Sequence, residues 1–226
     1  MLLYHAERAL CRFLVLVVLR RALRVTGRER IPRTGPALVV SNHVSLCDPA
    51  LVGPFIRRPD VYFMAKSDAF RKRWHAYILR GYKAFPVVRQ TADRAALRHA
   101  LDVLASGHVL VMFPEGSRSS DHKIARPHAG VGFIARHSGV PVIPAAIWGT
   151  ENVMPKDRLI PRHATVHLTY GEPFHLPERN PDGSRMSHQQ STDYMMSKVA
   201  ELLPEEYRGV YGDQQGGAAV SSSPAA

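Results

Sequence analysis

The sequence predicts an α/β fold: a partly parallel, mixed sheet flanked by helices, preceded by an N-terminal helix that associates with membrane. Two observations carry the sheet. Short runs without a polar side chain, such as Ala-Leu-Val-Val at 37–40, read as strands buried on both faces. These runs alternate with helical segments, the pattern of parallel strands joined by crossover helices. A third observation concerns placement: polar, chemistry-bearing residues cluster just after strand ends, where open α/β sheets bind ligands. With 226 residues, 45% of them hydrophobic and 22% charged, the chain is long enough for one sizeable core.

Taken in order, residues 2–24 read as a helix ended by Thr26-Gly27, and Pro32 to Pro36 as a turn. The 37–40 strand follows, and Asp48-Pro49 reads as a helix start, with an N-cap carboxylate and Pro at the first position. Strands at 61–64 and 85–88 bracket a basic helix at 69–79 that carries Trp74 and Tyr77. A helix at 92–105 stops at Gly107, and a strand at 108–113 opens a loop running to Pro127. Then come a helix at 131–137, a strand at 142–148, an alternating strand at 164–170 nearer the sheet edge, and a helix at 192–203. The organisation is therefore an apolar and basic helix at 1–24, an α/β domain at 25–211, and a disordered tail at 212–226, rich in Gly, Ala, Ser and Gln.

The chain holds 30 Lys and Arg against 19 Asp and Glu, a net charge of +11. The net is +6 over 1–40, +8 over 41–140 and −3 over 141–226, so the surplus belongs to the first 140 residues. Such a surface favours anionic partners: nucleic acid, an acidic membrane, or phosphorylated substrates. No helix-turn-helix, zinc-finger or RNP-like pattern supports nucleic acid. Two cysteines, Cys11 and Cys47, exclude a disulfide framework, and no Cys-x-x-Cys or His-Glu-x-x-His spacing offers a metal. The apolar run at 13–19 is too short to span a bilayer and lacks a cleavage site. Flanked by Arg12, Arg20, Arg21 and Arg24, it is either an interfacial helix on the cytoplasmic face of the membrane or a helix packed on the domain. The stretch from Arg71 to Tyr77 is open in the same way: lipid headgroups, coenzyme A phosphates, or a solvated helix face.

Four strand ends carry the candidate chemistry. After the first comes Asn42-His43-x4-Asp48, in which a carboxylate five residues on can reach one imidazole nitrogen, fix its tautomer and make the other nitrogen a base. That is the orienting half of a Ser-His-Asp triad, with the attacking hydroxyl left to the substrate. The alternative is a helix cap beside an ordinary loop histidine. After the 108–113 strand comes Glu115-Gly116-Ser117-Arg118, where Gly116 permits close backbone approach, Arg118 offers a phosphate-binding fork, and Glu115 accepts from a hydroxyl or holds an arginine. Arg89 follows the 85–88 strand with the same fork, and Gly149-Thr150 follows 142–148.

These residues resemble a known family. Asn42-His43-x4-Asp48 is similar to the first motif of the glycerolipid acyltransferases, the 1-acylglycerol-3-phosphate acyltransferase family. Phe113-Pro114-Glu115-Gly116-Ser117-Arg118-Ser119 resembles their third motif, Gly81 to Arg89 the second, and Val140-Pro141-Val142-Ile143-Pro144 the fourth. Order and spacing agree over roughly 25–180. In the second motif Val88 stands where an Asp is common, so only Arg89 carries over. The resemblance implies transfer of an acyl group from coenzyme A or acyl-carrier protein to a hydroxyl of lysophosphatidate, glycerol 3-phosphate, another lysophospholipid or a glycolipid. It implies His43 as general base with Asp48 as its partner. It also implies Asn42, Arg89, Glu115, Gly116, Ser117 and Arg118 on the phosphate-bearing acceptor, and Pro144 on the acyl-donor side. No cofactor or metal is expected, the expected partners are a lipid surface, the thioester donor and the lipid acceptor, and the intact His43 and Asp48 speak against a non-catalytic lipid-binding role.

Overall fold

The computed structural model describes residues 9–10, 12–13, 15, 17–88, 93–119, 121–155 and 161–216. A seven-stranded sheet runs through them: β1 (Leu23–Thr26), β2 (Ala37–Ser41), β3 (Val61–Lys66), β4 (Ala84–Val87), β5 (Val109–Met112), β6 (Val142–Trp148) and β7 (Val166–Tyr170). The spatial order is β1-β7-β6-β2-β5-β3-β4. Five neighbouring pairs are parallel and only β6 and β7 are antiparallel, so the sheet is mixed as expected. The helices are α1 (Asp48–Phe55), α2 (Arg73–Gly81), α3 (Arg94–Ala105), α4 (Gly130–Ser138), α5 (Thr150–Val153) and α6 (His188–Ala200).

The strand period of two splits each central strand between two cores. Leu38, Val40, Leu110 and Met112 face the layer of α3, α4 and α6, where they meet Leu104, Ile134 and Met195. Ala37, Val39, Val109 and Val111 face the other layer, with Leu51, Val52 and Phe55 of α1. Because both faces are covered, β2 is buried at every position. The capping residues act locally: Asp93 accepts from the Ala96 N–H at the start of α3, and Ser187 and Gln190 form a reciprocal capping box on α6.

Three sequence expectations change. The predicted 2–24 helix gives way at Leu23 to β1, which pairs parallel with β7 in the register Leu23↔Val166. Leu23-Arg-Val-Thr alternates half-buried and exposed positions, the signature of an edge strand, so its arginine does not mark a helix end. The described residues between 9 and 19 are helical, packed on one side and exposed on the other. Leu19 is buried in the α1 layer, Val15 and Val18 pack against it, and the Arg12 guanidinium lies 5.5 Å from the centre of the Phe55 ring. The opposite stripe, Leu10, Phe13 and Val17, is more than half exposed. Finally, the tail expected from 212 begins with a 3-10 segment, Gly209–Gly216, anchored by the buried Tyr211, while residues 217–226 lie outside the described residues.

The amino ends of the strands are fastened by a buried cation. Arg58 pairs with Asp60 and donates to the carbonyls of Pro32, Gly35 and Gly107, which stitches the turns leading into β2, β3 and β5. On the other layer, α4 and α6 touch through Gly132. Its N–H donates to Thr192 Oγ1, and a Cβ there would stand 1.9 Å from the His188 carbonyl oxygen. Gly132→Ala must push the two helices apart. It is expected to cost roughly 1–3 kcal/mol, read as a lower urea midpoint with an unchanged slope.

Candidate active site

The site is built at the carboxyl ends of β2, β5 and β6. Asn42 continues β2 with its side chain: Nδ2 donates to the Ile147 carbonyl at 2.8 Å, and the Ile147 N–H donates to Oδ1 at 2.9 Å. The amide thus mimics one more rung of the β2–β6 ladder and fixes where the chain leaves the sheet. His43 comes next. Its N–H donates to Glu115 Oε1 at 2.8 Å and its carbonyl accepts from the Ser119 N–H at 3.0 Å, so the loops after β2 and β5 are tied together. The imidazole rests on the Phe113 ring, 4.6 Å between centroids.

Asp48 is fully buried, and its carboxylate is filled with donors. Oδ2 takes His43 Nδ1 and the N–H groups of Val44 and Ser45, each at 2.8 Å. Oδ1 takes the Thr150 hydroxyl at 2.6 Å. An ionised carboxylate only accepts, so the imidazole proton sits on Nδ1 and the lone pair on Nε2. No described residue bonds Nε2. The helix-cap alternative is resolved by direction: α1 does start at Asp48, but the carboxylate turns back onto the loop that precedes it. Leu46, at the tip of this loop, is 64% exposed.

The remaining expected residues fall into three groups. Asn42 and Glu115, expected on the substrate, have their polar atoms taken by backbone; Glu115 Oε2 accepts from the Ala125 N–H at 2.9 Å and the residue is 5% exposed. Both hold loops in place rather than facing a cleft. Pro144 likewise sits inside β6, beside Gly171 and Leu202, and its carbonyl accepts from the Gly171 N–H. Gly116, Ser117 and Arg118 do stand at the open end of the site: Gly116 takes a left-handed turn at φ 68°, and Ser117 and Arg118 are exposed. Arg89 lies outside the described residues. In the sequence Thr150 is only a residue following a strand; its pairing with Asp48 spans 102 positions and has no local signature.

Behind Phe113 lies a cavity of about 390 Å³, lined largely by apolar side chains that include Met64, Val87, Leu97 and Phe133, with Gly116 at its wall. It opens between the carboxyl ends of β3–β5 and the start of α4. A second hollow of about 590 Å³, near Arg136, Arg179 and Arg185, lies by the amino end of β6, away from these loops.

The Glu115 carboxyl is pushed up to about 7, from an ordinary value of 4.5. Burial dominates; the Ala125 and His43 N–H groups oppose it, and the nearby Asp48 and Asp121 charges reinforce it. Below pH 4.5 the group is protonated in both folded and unfolded chains and costs nothing. Between 4.5 and about 7 the unfolded chain ionises first, so stability falls as pH rises, and above that the loss is complete. Glu115→Gln removes this dependence. The urea midpoint of the variant, measured against the parent, should climb from pH 4.5 to 7 and then level off; a difference that stays flat across this window contradicts the assignment.

Residues 22–148, which contain β1 through β6 and both halves of the His43–Asp48 pair, match the family model described as Acyltransferase. A 1-acyl-sn-glycerol-3-phosphate acyltransferase of Bacillus subtilis is 24% identical over 83% of this chain and 92% of its own length. One from Chlamydomonas reinhardtii is 30% identical over 82% of this chain and 54% of its own length. The crystal structure of the 1-acyl-sn-glycerophosphate acyltransferase of Thermotoga maritima superposes with a TM-score of 0.67 at 27% identity, covering 88% of this chain and 79% of that one. Motif, fold and family model coincide on the same residues, and the chain belongs to the acyltransferase family.

Proposed function

We propose that this protein transfers a fatty acyl group from a coenzyme A or acyl-carrier-protein thioester to the free hydroxyl of lysophosphatidate, with His43 as general base. The observation that carries the mechanism is the His43–Asp48 pair, in which Nδ1 is held by a buried carboxylate and Nε2 is left as the basic atom. His43 Nε2 takes the acceptor's hydroxyl proton as that oxygen attacks the thioester carbon. The tetrahedral adduct collapses, the carbon–sulfur bond breaks, and the thiolate leaves and takes up the proton carried by His43. A thioester is already activated, so base catalysis of ~10²–10⁴ together with positioning is sufficient. The acceptor assignment is supported by the substrates named for the Bacillus subtilis and Thermotoga maritima relatives.

The same reading gives the other parts of the site their tasks. Arg118 and Arg89 clamp the acceptor phosphate, and the apolar cavity behind Phe113 receives an acyl chain, its size falling within the ~300–1,000 Å³ usual for small-ligand sites. His43→Ala should lower turnover at least ~10²-fold while the folded state persists. A panel of acyl thioesters and lyso-acceptors, with products read by mass spectrometry, checks acceptor and donor together, and a His43→Ala protein that keeps its activity refutes the base.

The membrane assignment rests on two exposed stripes over one layer. Leu10, Phe13 and Val17 lie on the N-terminal helix, and Trp74, Tyr77 and Ile78 on α2, spaced so that each set shares a helix face. Both helices also send apolar side chains, Val15, Val18 and Leu79, into the α1 layer. Arg20, Arg21, Arg71, Lys72 and Arg73 flank the stripes, and aromatic rings beside cations suit an acidic headgroup region. Among the described residues no helix is long and apolar enough to cross a membrane. The two stripes support a peripheral seat on an acidic lipid surface, which we propose lies on the cytoplasmic side. Deleting 1–24 is a poor test, because it removes the core residue Leu19 and half of β1. Phe13→Glu with Trp74→Glu alters only exposed positions. The double variant should lose partitioning onto phosphatidylglycerol vesicles in sedimentation while keeping its thermal midpoint, and unchanged partitioning argues against this face.

A further inference from the structure

We infer that Thr150 is a positioning residue for acyl transfer: its hydroxyl holds the second oxygen of Asp48 and so fixes the carboxylate that orients His43. The inference rests on the reading of His43 as the base.

The local backbone is built to deliver this hydroxyl. β6 ends at Trp148, and Gly149 turns the chain in the left-handed region at φ 86°. A Cβ at Gly149 would lie 2.1 Å from the Thr165 carbonyl oxygen, so only glycine permits the turn at this contact. Thr150 then opens α5 with no exposed surface and its Oγ1 2.6 Å from Asp48 Oδ1. That is the length of a charge-assisted O–H···O⁻ bond.

The two carboxylate oxygens are not equivalent. Oδ2 is shared among the imidazole and two backbone N–H groups, all from residues 43–45 of one loop. Oδ1 is held by Thr150 alone among the described residues, and from a different strand end. Without this hydroxyl, Oδ1 is a buried charged acceptor with no partner, and the carboxylate is held on one side only. Rotation about its Cβ–Cγ bond then withdraws Oδ2 from Nδ1, and the imidazole loses both its fixed tautomer and its aim. Thr150, fully buried, touches no substrate; it acts through Asp48.

The test uses the full chain and four variants assayed with lysophosphatidate and an acyl-coenzyme A. Thr150→Val keeps the shape and removes the hydroxyl; Thr150→Ser keeps the hydroxyl and removes the methyl. Thr150→Ala is a second hydroxyl-free variant, so that a folding failure of one leaves the other to decide, and His43→Ala is the reference for the base. Loss of one hydrogen bond to a charged group predicts that kcat falls about tenfold in Thr150→Val and Thr150→Ala, with both KM values unchanged, and that Thr150→Ser stays within about twofold of the parent. A hydroxyl-free variant with parental kcat overturns the role of Thr150, as does a Thr150→Ser variant as impaired as Thr150→Val. If His43→Ala retains activity, the failure lies with the base itself and not with Thr150.

Discussion

A carboxylate with no access to water has to be surrounded by donors or it cannot stay charged. Asp48 meets that demand with an imidazole, two peptide N–H groups and a hydroxyl. Much of the site follows from it. The loop after β2 curls because two of its N–H groups must turn inward. The imidazole is oriented because its Nδ1 is the third donor on the same oxygen. The strand carrying Thr150 must lie beside β2, which the parallel β2–β6 pairing and the Asn42 bridge to Ile147 ensure. Glu115 repeats the arrangement nearby, with its two oxygens on N–H groups from two different loops. Here burial outweighs the donors, and the group retains its proton to a much higher pH than an ordinary carboxyl.

The sheet divides the remaining work. On one face, α3, α4 and α6 enclose the main core and leave an apolar cavity behind Phe113. On the other, α1 is covered by a helix that is core on one side and exposed and apolar on the other. Alternate residues of the same strands supply both layers, so Val39 and Val40 belong to different cores although they are neighbours in sequence. At the far end of the strands Arg58 joins three turns, which leaves the carboxyl-end loops free to be shaped by chemistry.

Those parts of the fold that follow from local pattern were legible in the sequence. Strands β2, β5 and β6 are apolar at nearly every position, and burial on both faces leaves them little choice. α3 and α4 end at Gly107 and Gly139 as their composition suggests. β1 was not legible: an edge strand with an arginine at an exposed position reads like the end of a basic helix. The His43–Asp48 pair was legible because its partners are five residues apart and carried by one loop. What Asn42 and Glu115 do was not, because residue type alone does not tell a substrate contact from a hydrogen bond to a distant peptide. Thr150 lay furthest out of reach, a common residue whose meaning depends on a partner on another strand.

Two contacts that fix the surroundings of His43 are long in sequence. Asn42 reaches Ile147 over 105 residues, and Thr150 reaches Asp48 over 102. Contacts of that span form late, after the intervening strands have found their places. On the ribosome, then, the motif loop containing His43 emerges long before β6 and Thr150 exist to brace it. Until β6 has been made and has docked beside β2, the nascent chain carries His43 and Asp48 without the contacts from β6 and Thr150 that fix them. The fixed geometry of the His43–Asp48 pair is thereby tied to completion of the central sheet, and a fragment ending before residue 150 carries the motif loop without the contacts from β6 and Thr150.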